Sequence, residues 1–95
     1  MKVYGEAVLT KFAKKHGASR RPLQRFLEIV RETDWPHFTA RKQTFPATDL
    51  GKKTGKAIFD VGGNNYRLIA IIDFDEQALL IESVLTHEEY NREDL

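Results

Sequence analysis

Cysteine is absent from the 95 residues. That excludes disulfides and thiolate metal sites and suggests no secretory framework. Proline occurs three times and tryptophan once, so the chain has no proline-rich linker and no low-complexity tract. No apolar run approaches the ~20 residues that cross a bilayer. The stretch from Met1 to Gly17 lacks a continuous apolar core of signal-peptide length. These absences predict a soluble cytoplasmic protein with no membrane partner. The His, Asp and Glu residues show no metal-ligand spacing. The two glycines of Gly51–Lys56 lack the strand-to-helix context of a phosphate-binding loop. Neither a metal nor a cofactor is expected.

What is present is globular: 41% of the residues are hydrophobic and 31% charged, enough apolar content to build one small domain over residues 1–95. Charge is unevenly placed. Residues 1–56 carry 13 Lys and Arg against 5 acids, and residues 57–95 carry 2 against 9. Such asymmetry suits a basic surface for a polyanion and a partner-facing acidic end, or simply solvated polar faces.

Hydrophobic spacing predicts the elements. Lys2–Tyr4 opens as a short strand that Gly5 breaks. Val8, Leu9, Phe12 and Ala13 share one face of a helix over residues 6–16, with Gly17 as its left-handed terminator. Ser19 caps a second helix, in which Leu23, Phe26, Leu27 and Val30 repeat at helical spacing, and Trp35-Pro36 closes the hairpin. Lys42–Phe45 suits a short strand and residues 48–56 a lysine-bearing loop. A β-meander follows: Ala57–Val61, a Gly-Gly-Asn-Asn turn, Tyr66–Phe74, a turn at residues 75–77, and Ala78–Leu85. Thr86 with Glu89 forms a capping box for a short last helix. The fold class is α+β: an antiparallel sheet with an amino-terminal helical hairpin packed on one face and a short carboxy-terminal helix. Strands 66–74 and 78–85 are apolar on both faces, so something covers part of the second face as well.

Hairpin register brings chemistry together. A turn at Gly63-Asn64 puts Asp60 opposite Arg67, and a loop at residues 75–77 puts Arg67 opposite Leu85. His87 then lies diagonally within reach of Arg67, and Tyr90 follows one helical turn later. A guanidinium beside an imidazole suits phosphodiester scission by the RNA's own 2′-hydroxyl. Arg67 can hold phosphate oxygens, His87 can transfer protons, and Tyr90 can assist or stack on a base. Each residue also has a plainer reading: Arg67 paired with Asp60, His87 solvated at a helix start, Tyr90 at the core edge. Arg41, Lys42, Lys52, Lys53 and Lys56 are candidate phosphate contacts, or merely solvated charges.

The stretch Ala57-Ile-Phe-Asp-Val-Gly-Gly-Asn-Asn-Tyr-Arg-Leu-Ile-Ala70, with Val84-Leu-Thr-His-Glu-Glu-Tyr90, resembles the HigB family of bacterial toxins. The helical hairpin and Trp35, Phe38, Arg41, Phe45 and Pro46 are similar as well, so the likeness spans nearly the whole chain. The resemblance implies a RelE-like fold and the toxin of a type II toxin–antitoxin pair. It implies an endoribonuclease acting on mRNA, commonly on translating ribosomes, and neutralisation in a hetero-oligomer with a HigA-like helix-turn-helix antitoxin. Its pattern falls on Arg67, His87 and Tyr90. The alternative is a non-catalytic RNA- or ribosome-binding module.

Overall fold

The computed structural model describes residues 1–34, 48–50, 55–63 and 65–92, with backbone alone for residues 48–50. The expected strand at Lys42–Phe45, the tryptophan at position 35, and Arg41, Lys42, Lys52 and Lys53 lie outside the described residues.

The elements run β1 (Lys2–Tyr4), α1 (Glu6–Lys15), a 3-10 turn (Gly17–Ser19), α2 (Arg20–Arg31), β2 (Thr48–Leu50), β3 (Ala57–Val61), β4 (Tyr66–Asp73), β5 (Ala78–Thr86) and α3 (His87–Arg92). They form a five-stranded sheet in the order β1-β5-β4-β3-β2. The meander β2-β3-β4-β5 is antiparallel, as expected. β1 joins the outer edge of β5 in parallel, which makes the whole sheet mixed. A parallel neighbour requires a long crossover, and here α1, α2 and the chain up to β5 supply it.

The helical hairpin packs on one face. Leu9 of α1 and Leu23, Phe26 and Val30 of α2 bury against Phe59, Leu68, Ala70, Leu79 and Ile81 of the sheet. Phe26 meets Phe59 edge to face at 5.0 Å. Each fully buried side chain of this size contributes about 1.5–3 kcal/mol by leaving water. Gly5 makes the junction between β1 and α1 possible. Its φ is +87°, and a Cβ there would stand 2.5 Å from the Ile81 carbonyl oxygen. No other residue type fits that close approach without displacing backbone. Glu6 at the start of α1 forms an ion pair with Arg31 at the end of α2, which ties the hairpin's open end.

Several local expectations change. Residues 48–50, expected in a loop, form β2, pairing Thr48 with Phe59 and Leu50 with Ala57. A strand edge offers N–H and C=O groups that another backbone segment can pair with whatever its side-chain pattern, and Thr48–Leu50 takes the edge of β3. Gly17 is not left-handed. α1 ends instead on His16 in an irregular conformation, and Gly17 opens the 3-10 turn. Ser19 does not cap α2 with its side chain. Its buried hydroxyl donates back to the His16 carbonyl at 2.6 Å.

The β4–β5 connection has one residue more than expected. β4 stops at Asp73, so the turn takes residues 74–77 and pairs Asp73 with Ala78. Gln77 adopts a positive φ of 50° there, and its side-chain amide donates to the Phe74 carbonyl at 2.7 Å. A bulge absorbs the extra residue. Ala70 pairs with Ile81 and Ile69 with Ser83, so Glu82 has no opposite residue. Beyond the bulge the expected register is restored, with Arg67 opposite Leu85.

Candidate active site

Alternation along β4 puts Leu68 and Ala70 under the helices and Arg67 and Ile69 on the opposite face. Ile58 and Ile69 are buried on that second face, outside the main cluster, so the expected second covering is present there. It is partial, because Ile71 and Leu80 further along are each 44% exposed.

Arg67 is the hub of this face, at 8% exposure. A buried guanidinium requires anionic or carbonyl partners. Its Nε meets Asp60 Oδ1 at 2.9 Å, and one terminal nitrogen donates to the Tyr66 carbonyl at 3.1 Å. The other terminal nitrogen lies 3.4 Å from Nδ1 of His87. Its carbon stands 5.3 Å from the centroid of the Tyr90 ring, cation–π geometry. The expected Asp60–Arg67 cross-strand pair and the expected convergence of Arg67, His87 and Tyr90 are therefore one network, not alternatives.

The bulge and the capping box deliver His87. Thr86 and Glu89 satisfy each other's backbone N–H groups, Thr86 N to Glu89 Oε1 at 2.8 Å and Glu89 N to Thr86 Oγ1 at 3.2 Å. The Thr86 backbone N–H, helped by its side-chain hydroxyl, holds the Glu89 carboxyl below its ordinary value, with His16 and Arg92 adding smaller favourable charge. The His87 amide donates to the Asn65 carbonyl at 2.9 Å, which pins the start of α3 to the β3–β4 turn. His87 itself is exposed and Tyr90 half-buried. A guanidinium can only donate, so this contact is a hydrogen bond when Nδ1 of His87 carries its lone pair.

Lys56 stands at the far end of β3 from Asp60, in an ion pair with Glu82 at 2.8 Å. Asp60 is the residue that the sequence reading left out of the site. Its signal was available, since it faces Arg67 across a two-glycine turn. A carboxylate there holds the guanidinium by its Nε, leaving one terminal nitrogen beside His87 of α3.

Among the described residues, no helix is long and apolar enough to cross a membrane. Comparison with known proteins adds the following. The mRNA interferase HigB of Escherichia coli O6:H1 (strain CFT073) is 29% identical over 93 residues, covering 97% of this chain and 90% of that protein. The mRNA interferase toxin HigB of Escherichia coli K12 is 41% identical over 51 residues, covering 53% of this chain and 49% of that protein. Residues 19–93 match the HigB toxin family, described as the RelE-like toxic component of a toxin–antitoxin system. With the match running from the start of α2 through the whole meander to the end of α3, the chain belongs to the HigB family of RelE-like toxins.

Proposed function

We propose that this toxin is an endoribonuclease that cuts mRNA through its own 2′-hydroxyl. The 2′ oxygen attacks the adjacent phosphorus and gives up its proton, and the bond to the 5′ oxygen breaks as that oxygen takes a proton. The products are a 2′,3′-cyclic phosphate, which water can then open to a 3′-phosphate, and a 5′-hydroxyl end. One observation carries the reading: Arg67, His87 and Tyr90 meet at one end of the sheet, with the imidazole open to solvent. The names of the relatives, mRNA interferases, support it.

Arg67 supplies fixed positive charge beside the reacting phosphate and holds His87 by Nδ1. His87 acts either as the base that takes the 2′ proton or as the acid that protonates the 5′ oxygen. Tyr90, its ring backed by the guanidinium, stacks on or orients the nucleotide at the cut. Arg41, Lys42, Lys52, Lys53 and Lys56 hold phosphates on either side, each as a salt-sensitive contact. The substrate is mRNA on translating ribosomes in the cytoplasm, and the neutralising partner is a helix-turn-helix antitoxin of the HigA kind in a hetero-oligomer.

A non-catalytic RNA- or ribosome-binding module is the second reading, favoured by the burial of Arg67 among internal partners. Mapping RNA ends after induction separates the two. New 5′-hydroxyl ends that disappear in both Arg67→Ala and His87→Ala support scission, whereas arrested translation with intact RNA supports the binder.

A further inference from the structure

The covering of the second face of the sheet stops at Ile69. Beyond it an apolar row crosses three strands, because the register pairs Tyr4 of β1 with Leu80 of β5, and Leu80 with Ile71 of β4. Tyr4 is 54% exposed, and with Leu80 and Ile71 it completes the set of exposed large hydrophobic residues among those described. Their chain neighbours Val3, Leu79 and Ile72 turn to the helix side and join the core. The next row on the same face is Lys2, Ala78 and Asp73. Lys2 and Asp73 are both exposed, and neither forms an ion pair among the described residues. Two strand spacings, roughly 10 Å, keep them apart. Glu82, two residues past Leu80, is neutralised by Lys56. The patch is therefore an apolar row with one unpaired cation at one side and one unpaired carboxylate at the other.

We propose that this face binds a second copy of the chain, sheet against sheet, about a two-fold axis running along β5. Such an axis leaves the strand direction unchanged and exchanges the places of β1 and β4. Leu80 then meets Leu80 of the second copy, Tyr4 meets Ile71, and Lys2 meets Asp73, the last two contacts each made twice. Facing sheets pack about 10 Å apart, a gap that side chains of this size fill. The charges select this occupant. A cation and a carboxylate on opposite flanks of an apolar row are complementary to the same patch turned over. RNA fits less well, because the patch carries no excess of cations to gather phosphates. The contact is small, which puts the association in the weak, transient class.

Sedimentation of the full chain, from about 1 µM to about 1 mM, reads the association. The parent should pass from monomer towards dimer within that range. Leu80→Asp sets two carboxylates face to face in the contact and should weaken the dimer about 10-fold or more. Ile71→Thr should weaken it less, and it covers the case in which a charge at position 80 perturbs folding. Lys2→Glu and Asp73→Lys should each weaken it through like charges. Asp73 also accepts the Glu76 N–H at 3.1 Å. Asp73→Asn keeps that bond and should still weaken the dimer, which assigns the loss to charge and not to a loosened turn. An equimolar mixture of the Lys2→Glu and Asp73→Lys chains should regain the parent's association, because every charged contact in the mixed dimer then joins opposite signs. A parent that stays monomeric throughout the range overturns the proposal. So does a dimer that both Leu80→Asp and Ile71→Thr leave intact. A monomer whose Tyr4 and Leu80 resonances shift on adding a short single-stranded RNA overturns it too, and gives the face to RNA. None of these variants touches Arg67, His87 or Tyr90, so the self-association and the scission chemistry fail separately.

Discussion

On the helix-covered face of the sheet, Phe59, Leu68, Ala70, Leu79 and Ile81 are closed off from water within one apolar cluster. The opposite face has Arg67 among Asp60, Tyr66, His87 and Tyr90 at one end, and the half-exposed Ile71 and Leu80 at the other. The same strands build both faces, one residue apart. The first face is held by area removed from water, which is tolerant of detail. The second holds a buried cation whose cost is offset only if every partner is in place. Stability is thus concentrated on one side and chemistry on the other.

The sharpest way to break that division is to empty the core beneath it. Phe59→Ala should cost about 3–5 kcal/mol of unfolding free energy, read by urea titration, because Phe26 and Leu68 cannot collapse into the space. Arg67→Ala should reduce RNA cleavage about 10²–10³-fold, the loss expected for an oxyanion-type donor. A stability loss as large as that of Phe59→Ala, with cleavage retained in the folded fraction, would move Arg67 from chemistry to scaffold. Asp60→Ala should cost about 1–3 kcal/mol, since it leaves the guanidinium without its carboxylate, and cleavage should fall alongside. A titration of α3 should give a smaller effect. The folded-state pKa of Glu89 lies below its ordinary 4.5, so its stabilisation is complete above that value and is lost as pH falls through the lowered one. The His87 and Tyr90 resonances should report α3 loosening in that acid range, and Glu89→Gln should remove the dependence. Ile71→Thr, on the exposed part of the second face, should change stability by no more than about 0.5 kcal/mol.

Much of this was legible in the chain. Helical spacing in residues 20–31, β-branched runs around Gly62-Gly63, and the Thr86/Glu89 pair marked α2, the meander and the start of α3. Hairpin counting placed Arg67 opposite Asp60 and Leu85. β2 was not legible, because Thr48–Leu50 has no strand pattern and pairs only because β3 offers an edge. Nor was the bulge. The turn at residues 74–77 is one residue longer than the count assumed, and only the unpaired Glu82 returns β5 to the phase that brings His87 to Arg67.

Local periodicity and turn chemistry are properties of neighbouring residues, so the sequence by itself determined the helices, the hairpins and which residues alternate across the sheet. Only the tertiary structure decided that β1 runs parallel to β5, that Asp60 and His87 share one guanidinium, and that β1 covers only Ala78–Leu80 of the β5 edge. Those outcomes depend on groups distant in the chain competing for the same hydrogen bonds and buried space. No local pattern records who wins that competition.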